Sequence, residues 1–257
     1  LMFQPDYNDP AQNRKHEAAA CFSYGGCSME QNILNKMTEE NPFLPLNNAV
    51  YEIILQNIIS FQFQPGSKIN ESQIAETLDV SRSPVRDALT RLEKKNYVIK
   101  SPGKGFFVSD FTKAEYLSIT DLAFMLEPYA AGEAAVRLTE QDLDKLYALA
   151  DRLGRVYRKP NYKDLLDAEF DFHVSLIRKS GNPFVQNIYE DMKYKIFRYR
   201  SYLLYNPTPD LFPILTNDHR VICDALKLRD KAIGEATLRR HLSISHRAYM
   251  ESGFFDK

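Results

Sequence analysis

One stretch constrains this chain more than any other. From Lys68 to Ser109 it reads KINESQIAETLDVSRSPVRDALTRLEKKNYVIKSPGKGFFVS. Asn70 opens a short helical pattern as an N-cap, with Gln73 three residues on in a capping-box-like position. Ile74, Ala75 and Leu78 give that pattern one apolar stripe, and Asp79-Val80 makes the turn after it. Ser81 suits the N-cap of a second helix, whose first turn contains Pro84, where a missing N–H costs little. Val85, Ala88, Leu89 and Leu92 form its buried stripe, while Arg82 and Arg86 share another face near its N-terminus. Two short helices in this register are a helix-turn-helix, whose second helix presents its first turns to base edges.

Two strand-like runs follow, Tyr97-Val98-Ile99 and Phe106-Phe107-Val108, around the tip Ser101-Pro102-Gly103-Lys104-Gly105. A hairpin in that place is a wing, with Lys104 on its tip. Between Ser81 and Gly105 stand seven Lys/Arg against Asp87 and Glu93, in a chain whose net charge is −1. Positive charge is therefore focused where phosphates would lie. The competing reading is a solvated basic helix followed by an unrelated hairpin.

VSRSPVRDALTRLEKKNYV and GKGFFV are similar to the most recognisable signatures of the GntR family of bacterial transcription regulators. The resemblance spans the whole winged segment. It implies DNA contacts from Ser81, Arg82, Ser83 and Arg86, with Lys104 and Gly105 at the wing tip. Many relatives carry an arginine where this chain has Ser72, so one basic contact from the first helix is expected to be absent.

The remaining chain length, out of 257 residues, suffices for a second core. Apolar residues make up 44% and charged residues 26%, ordinary for a soluble globular protein. No apolar run approaches the roughly 20 residues of a membrane span, and no signal peptide is visible. Cys21, Cys27 and Cys223 are too few and scattered for a disulfide framework, which points to the reducing cytoplasm.

Residues 1–45 are polar and without sustained periodicity, so they read as a flexible tail. Cys21, Cys27 and His16 fit no standard zinc spacing. Met29 begins a more natural-looking segment, and the earlier residues read as vector-derived or mis-annotated. From Leu46 apolar residues recur at three and four to near Phe61, giving the helix that packs behind the helix-turn-helix. The winged domain is thus expected over 46–110.

Beyond Asp110 the period is helical throughout. Thr112 with Glu115 offers a capping box, and helices are expected over 113–136, 140–157, 161–179, 183–204, 210–228 and 231–251. The expected fold is mainly α: an N-terminal winged helix-turn-helix domain followed by an all-α bundle over 111–257.

Glu169 and His173 are four apart in AEFDFHVSL and so leave one face of one helix. His219 and His241 lie in two further amphipathic patterns. Three imidazoles and a carboxylate can converge in a bundle core as a metal site, but each histidine alone is more often a hydrogen-bonded packing residue. Spacing leaves both readings open. FDFHVSLIRKSGN, DHRVICDALKLRDKAIGEA and LRRHL resemble the FCD effector domain of the FadR-type GntR subgroup. That resemblance implies a divalent metal (zinc, nickel or manganese) held by His173, His219 and His241, with Glu169 where relatives usually have Asp.

The resemblance also implies a small-molecule metabolite effector, a carboxylate being one candidate. Relatives often place an arginine four before the glutamate of LEP, where this chain has Ala123. Arg198, Arg200 and Tyr202 in KYKIFRYRSYLLY are the replacement candidates, although the run reads most simply as a surface helix with aromatic packing. Cys223 reads as a small buried residue. The function these features support is a homodimeric, cytoplasmic, effector-controlled regulator, most simply a repressor, on pseudo-palindromic operator DNA. Its rivals are a metalloenzyme, for which no separate general base or nucleophile is evident, and an architectural DNA-binding protein.

Overall fold

The computed structural model describes residues 34, 39, 41, 43–158, 162–205, 211–253 and 255; the side chains of 158, 162–163, 165–166, 201–205, 211–214 and 216 are not among those described. Most of the expected tail lies outside the described residues, His16, Cys21, Cys27 and Met29 with it; Leu34 is helical and buried. The chain divides into two compact units at Asp110/Phe111.

In the first unit α1 (Leu46–Ile59) packs on α3 (Arg82–Lys94), and α2 (Glu71–Thr77) packs across α3. The reason is the pattern of apolar residues. Val50, Ile54 and Ile58 of α1 meet Val85, Ala88, Leu89 and Leu92 of α3, and every one of these side chains is buried. Asn70 Oδ1 accepts hydrogen bonds from the Ser72 and Gln73 amides, satisfying two donors that α2 leaves open. Asp79 turns the chain with φ of +52°, a conformation its short polar side chain tolerates. Strands β1 (Val98–Ser101) and β2 (Gly105–Val108) pair antiparallel, Val98 opposite Val108 and Ser101 opposite Gly105. Gly103 and Gly105 supply the positive φ values of the tip.

The second unit contains α4 (Lys113–Ala135), α5 (Glu140–Arg158), α6 (Tyr162–Lys179), α7 (Pro183–Tyr205), α8 (Leu211–Lys227) and α9 (Lys231–Glu251). Thr112 Oγ1 accepts from the Glu115 amide and Asp230 Oδ1 from the Ile233 amide, so α4 and α9 start on side-chain caps. These two helices pack against each other and touch closely. A Cβ on Gly132 would lie 2.9 Å from the Lys231 carbonyl oxygen, and one on Gly234 3.1 Å from that of Ala131. Alanine normally improves a helix by about 1 kcal/mol over glycine. At Gly132 the backbone clash reverses that sign. The Gly132→Ala variant is expected to lose about 1–2 kcal/mol, the gain in propensity being smaller than the overpacking cost, as read by urea denaturation of the helical unit.

Candidate functional site

The exposed face of α3 carries Ser81, Arg82, Ser83 and Arg86, while Pro84, Val85, Ala88 and Leu89 turn inward. Ser81 stands at the N-cap with extended backbone, but its hydroxyl caps nothing. That differs from the expectation for a capping serine, and it leaves the hydroxyl available to an outside acceptor. Arg86 Nε donates to Glu71 Oε2 at 3.0 Å, whereas Arg82 has no partner among the described residues. Lys104 is exposed on the wing tip beside the half-buried Gly105. Cations, a free hydroxyl and the positive end of a helix together make a face suited to phosphate and base edges.

The second unit gathers a different chemistry. Glu169 and His173 project from α6, His219 from α8 and His241 from α9, and all four are buried. One ligand atom from each histidine lies within 4.8 Å of the others. Glu169 bridges two of them, with Oε2 3.5 Å from His173 Nε2 and Oε1 3.4 Å from His219 Nε2. The ring nitrogens of His173 and His219 make no aligned hydrogen bond, although both side chains are 1% exposed. Buried donors and acceptors left open in this way cost free energy unless something else satisfies them. Three imidazoles and a carboxylate aimed inward fit a divalent transition metal.

A ring of further polar groups orients these side chains. Glu127 of α4 brings Oε2 to 2.9 Å from His173 Nδ1, and Asp218 Oδ2 lies 2.6 Å from His241 Nδ1. Asp218 thus engages His241 Nδ1, while Glu127 stands against His173 Nδ1 as a close ionic neighbour without an aligned hydrogen bond. Arg200 Nη2 donates to Glu127 Oε1 at 2.7 Å, and Tyr189 donates to the same oxygen at 3.1 Å. The Tyr157 hydroxyl donates to Glu169.

Charge follows from these contacts. Burial acts to raise the Glu127 pKa, but Arg200 and His173 outweigh it and hold it at about 2. Burial likewise opposes charge on Glu169, and His219 and His173 hold its pKa well below the carboxylate range. Burial and then His219 push His241 down to about 4, so that ring is neutral near pH 7 and ready to act as a ligand. For His173, burial and Arg200 push downward, yet Glu127 and Glu169 hold the pKa above its ordinary value.

Next to this centre a cavity opens between α4, α7 and α9. Its lining includes Tyr116, Ala123, Tyr199, Arg200, His246 and Tyr249. Arg200 Nη1 is buried without a hydrogen-bond partner. His246 Nδ1 lies 3.0 Å from the Tyr116 hydroxyl, and Tyr116 stacks on Tyr249 at 4.2 Å between centroids.

The expectation of a surface helix for KYKIFRYRSYLLY is overturned, because Arg198 and Tyr199 are both 3% exposed. The two arginines also separate. Arg200 lines the cavity, whereas Arg198 lies over the Phe111 ring at 4.5 Å and is not among the cavity's residues. The Tyr202 side chain lies outside the described residues. Glu127 and Asp218 went unassigned in the sequence. The signal for Glu127 was a lone carboxylate in the apolar run AFMLEPYAA, and for Asp218 its place next to His219.

A winged helix-turn-helix joined to a helical bundle with a buried polar centre defines a ligand-responsive class of DNA-binding regulator. The comparisons agree with that class. Residues 46–108 match the family described as bacterial regulatory proteins, gntR family, and residues 118–243 match the FCD domain. The chain belongs to the GntR family, with an FCD domain behind its DNA-binding module, and it is a transcription regulator rather than an enzyme.

Among relatives, it is 24% identical to the HTH-type transcriptional repressor RspR of Escherichia coli strain K12, over 80% of this chain and 89% of that one. It is 26% identical to the gluconate operon transcriptional repressor of Bacillus subtilis strain 168, over 72% and 76%. The solved structure of E. coli McbR/YncC superposes with a TM-score of 0.72 at 22% identity, covering 82% of this chain and 99% of that one. That likeness concerns the fold.

Proposed function

We propose that this regulator is a FadR-type repressor acting as a homodimer in the cytoplasm, with a divalent metal held by Glu169, His173, His219 and His241. A small anionic metabolite bound in the adjacent cavity would control its hold on operator DNA. The observation that carries this reading is the contiguity of centre and cavity: Arg200 lines the cavity and donates to Glu127, which in turn reaches His173. When bound, the metal supplies a Lewis-acidic partner for a ligand oxygen. Arg200 supplies an unspent N–H pair to an anion, and the tyrosines supply hydroxyls and ring faces. Ala123 in the same wall keeps room for the ligand beside Arg200.

Support for the dimer comes from α4, which is apolar on more than its bundle-facing side. Leu122, Met125 and Tyr129 are exposed along one face, and Phe184 and Ile188 of α7 are exposed on the helix that contacts it. Tyr129 accepts from Asn182 at 3.2 Å, tying the two apolar surfaces together. A contiguous patch of this kind is the mark of an interface. A two-fold protein would match a pseudo-palindromic site.

The effector acts only if it binds the two conformational states unequally. Fluorescence anisotropy of the operator complex, titrated with a panel of small carboxylates, tests the reading. At least one carboxylate is expected to release the wild-type protein. The Arg200→Gln variant is expected to bind operator alone as wild type does, but to need about tenfold or more of that carboxylate, the loss of one charge-assisted hydrogen-bond pair. An unshifted response in Arg200→Gln would remove the anion-binding assignment.

A further inference from the structure

The exposed ion pair between Glu71 and Arg86 is not explained by stability, since such pairs add little to folding. Its geometry is more informative. Glu71 is the first residue of α2, and the Asn70 cap pins that end of the helix. Its side chain is only 18% exposed, whereas that of Arg86 is 68% exposed. The carboxylate takes Arg86 by Nε at 3.0 Å, and neither Nη1 nor Nη2 has a partner among the described residues. A guanidinium gripped by Nε keeps a free two-pronged end. Two parallel N–H donors of that kind match O6 and N7 of guanine. Arg82, one turn earlier on the same face, has no such holder.

From this difference we infer that Glu71 is a specificity-determining positioning residue: without facing DNA itself, it pre-orients Arg86 to read a guanine, while the unheld Arg82 adapts to phosphate. The inference rests on α3 being the recognition helix. Pre-orientation matters because a long arginine otherwise loses rotamer freedom on binding. The carboxylate also removes positive charge from the same face, so its effects on specific and non-specific binding run in opposite directions. That opposition makes the idea testable.

The experiment uses the full chain and two duplexes, one recovered by selection from a random pool and one of unrelated sequence. Affinities are measured across a salt series. Glu71→Ala should bind the selected duplex about fivefold more weakly, and bind the unrelated duplex as well as wild type or better. Glu71→Gln should keep most of the discrimination, because its amide oxygen still accepts the Nε–H. In an Arg86→Ala background, adding Glu71→Ala should cost no further discrimination. An equal change on both duplexes, in either direction, would overturn the inference, as would a further loss of discrimination in the double variant. Unchanged discrimination in Arg86→Ala alone would instead sink the recognition-helix reading.

Discussion

Untagged protein purified without chelator should carry about one equivalent of zinc, nickel or manganese, and the His219→Ala variant should carry close to none. The choice of histidine matters. His173 also lies against the buried Glu127, so deleting it strips a partner from a carboxylate in the core. His241 likewise faces Asp218. His219 lies against Glu169, and that carboxylate keeps His173 and the Tyr157 hydroxyl beside it when the His219 ring is removed. Even groups that merely orient ligands typically cost about 10–100-fold in metal affinity when removed, and a direct ligand should cost more. A second readout is stability. A metal at about 100 times its Kd adds about 2.7 kcal/mol to the native state, so chelation should lower Tm in wild type and leave His219→Ala unmoved. Metal-free wild type whose Tm does not respond to zinc, nickel or manganese would make the cluster a packing arrangement.

The sequence carried much of this architecture because its signals were local. Thr112 and Asp230 cap helix starts, and Gly181 and Pro183 mark the break between α6 and α7, each acting within a few residues of itself. The Glu169–His173 pairing was legible for the same reason, since a spacing of four forces both side chains onto one helix face. Glu127 was not. Its partners are His173, Tyr189 and Arg200, brought from α6 and α7 by tertiary packing that no period along α4 encodes. Arg198 and Arg200 make the same point from the other side. Two residues apart on a helix, they diverge by about 200°. Arg198 met the Phe111 ring ahead of α4 and Arg200 met Glu127 on α4, a choice made by tertiary packing and not by local spacing. Ser81 shows a subtler limit: its residue type and backbone fit a cap, yet whether the hydroxyl turned to the helix was decided by one rotamer.

On DNA the largest effects should come from α3. Truncating Arg82 or Arg86 to alanine is expected to weaken operator binding by about 1–3 kcal/mol each, roughly 5- to 150-fold. Both side chains are exposed and neither supports the core, so the variants should fold normally and the loss should read as recognition. The two losses should differ in kind. Arg86, held by Glu71, should lose discrimination among sequences, visible as a flattened response to single-base changes in the operator. Arg82, without a partner among the described residues, should behave more like a phosphate contact and lower affinity for all duplexes alike. Lys104→Ala on the wing gives the reference for a pure phosphate contact, a salt slope shallower by about one with discrimination intact. Anisotropy titrations at several salt concentrations separate the three. If Arg82→Ala and Arg86→Ala both bind operator as wild type does, α3 is not the reading helix, and the focused charge between Ser81 and Gly105 serves some other polyanion.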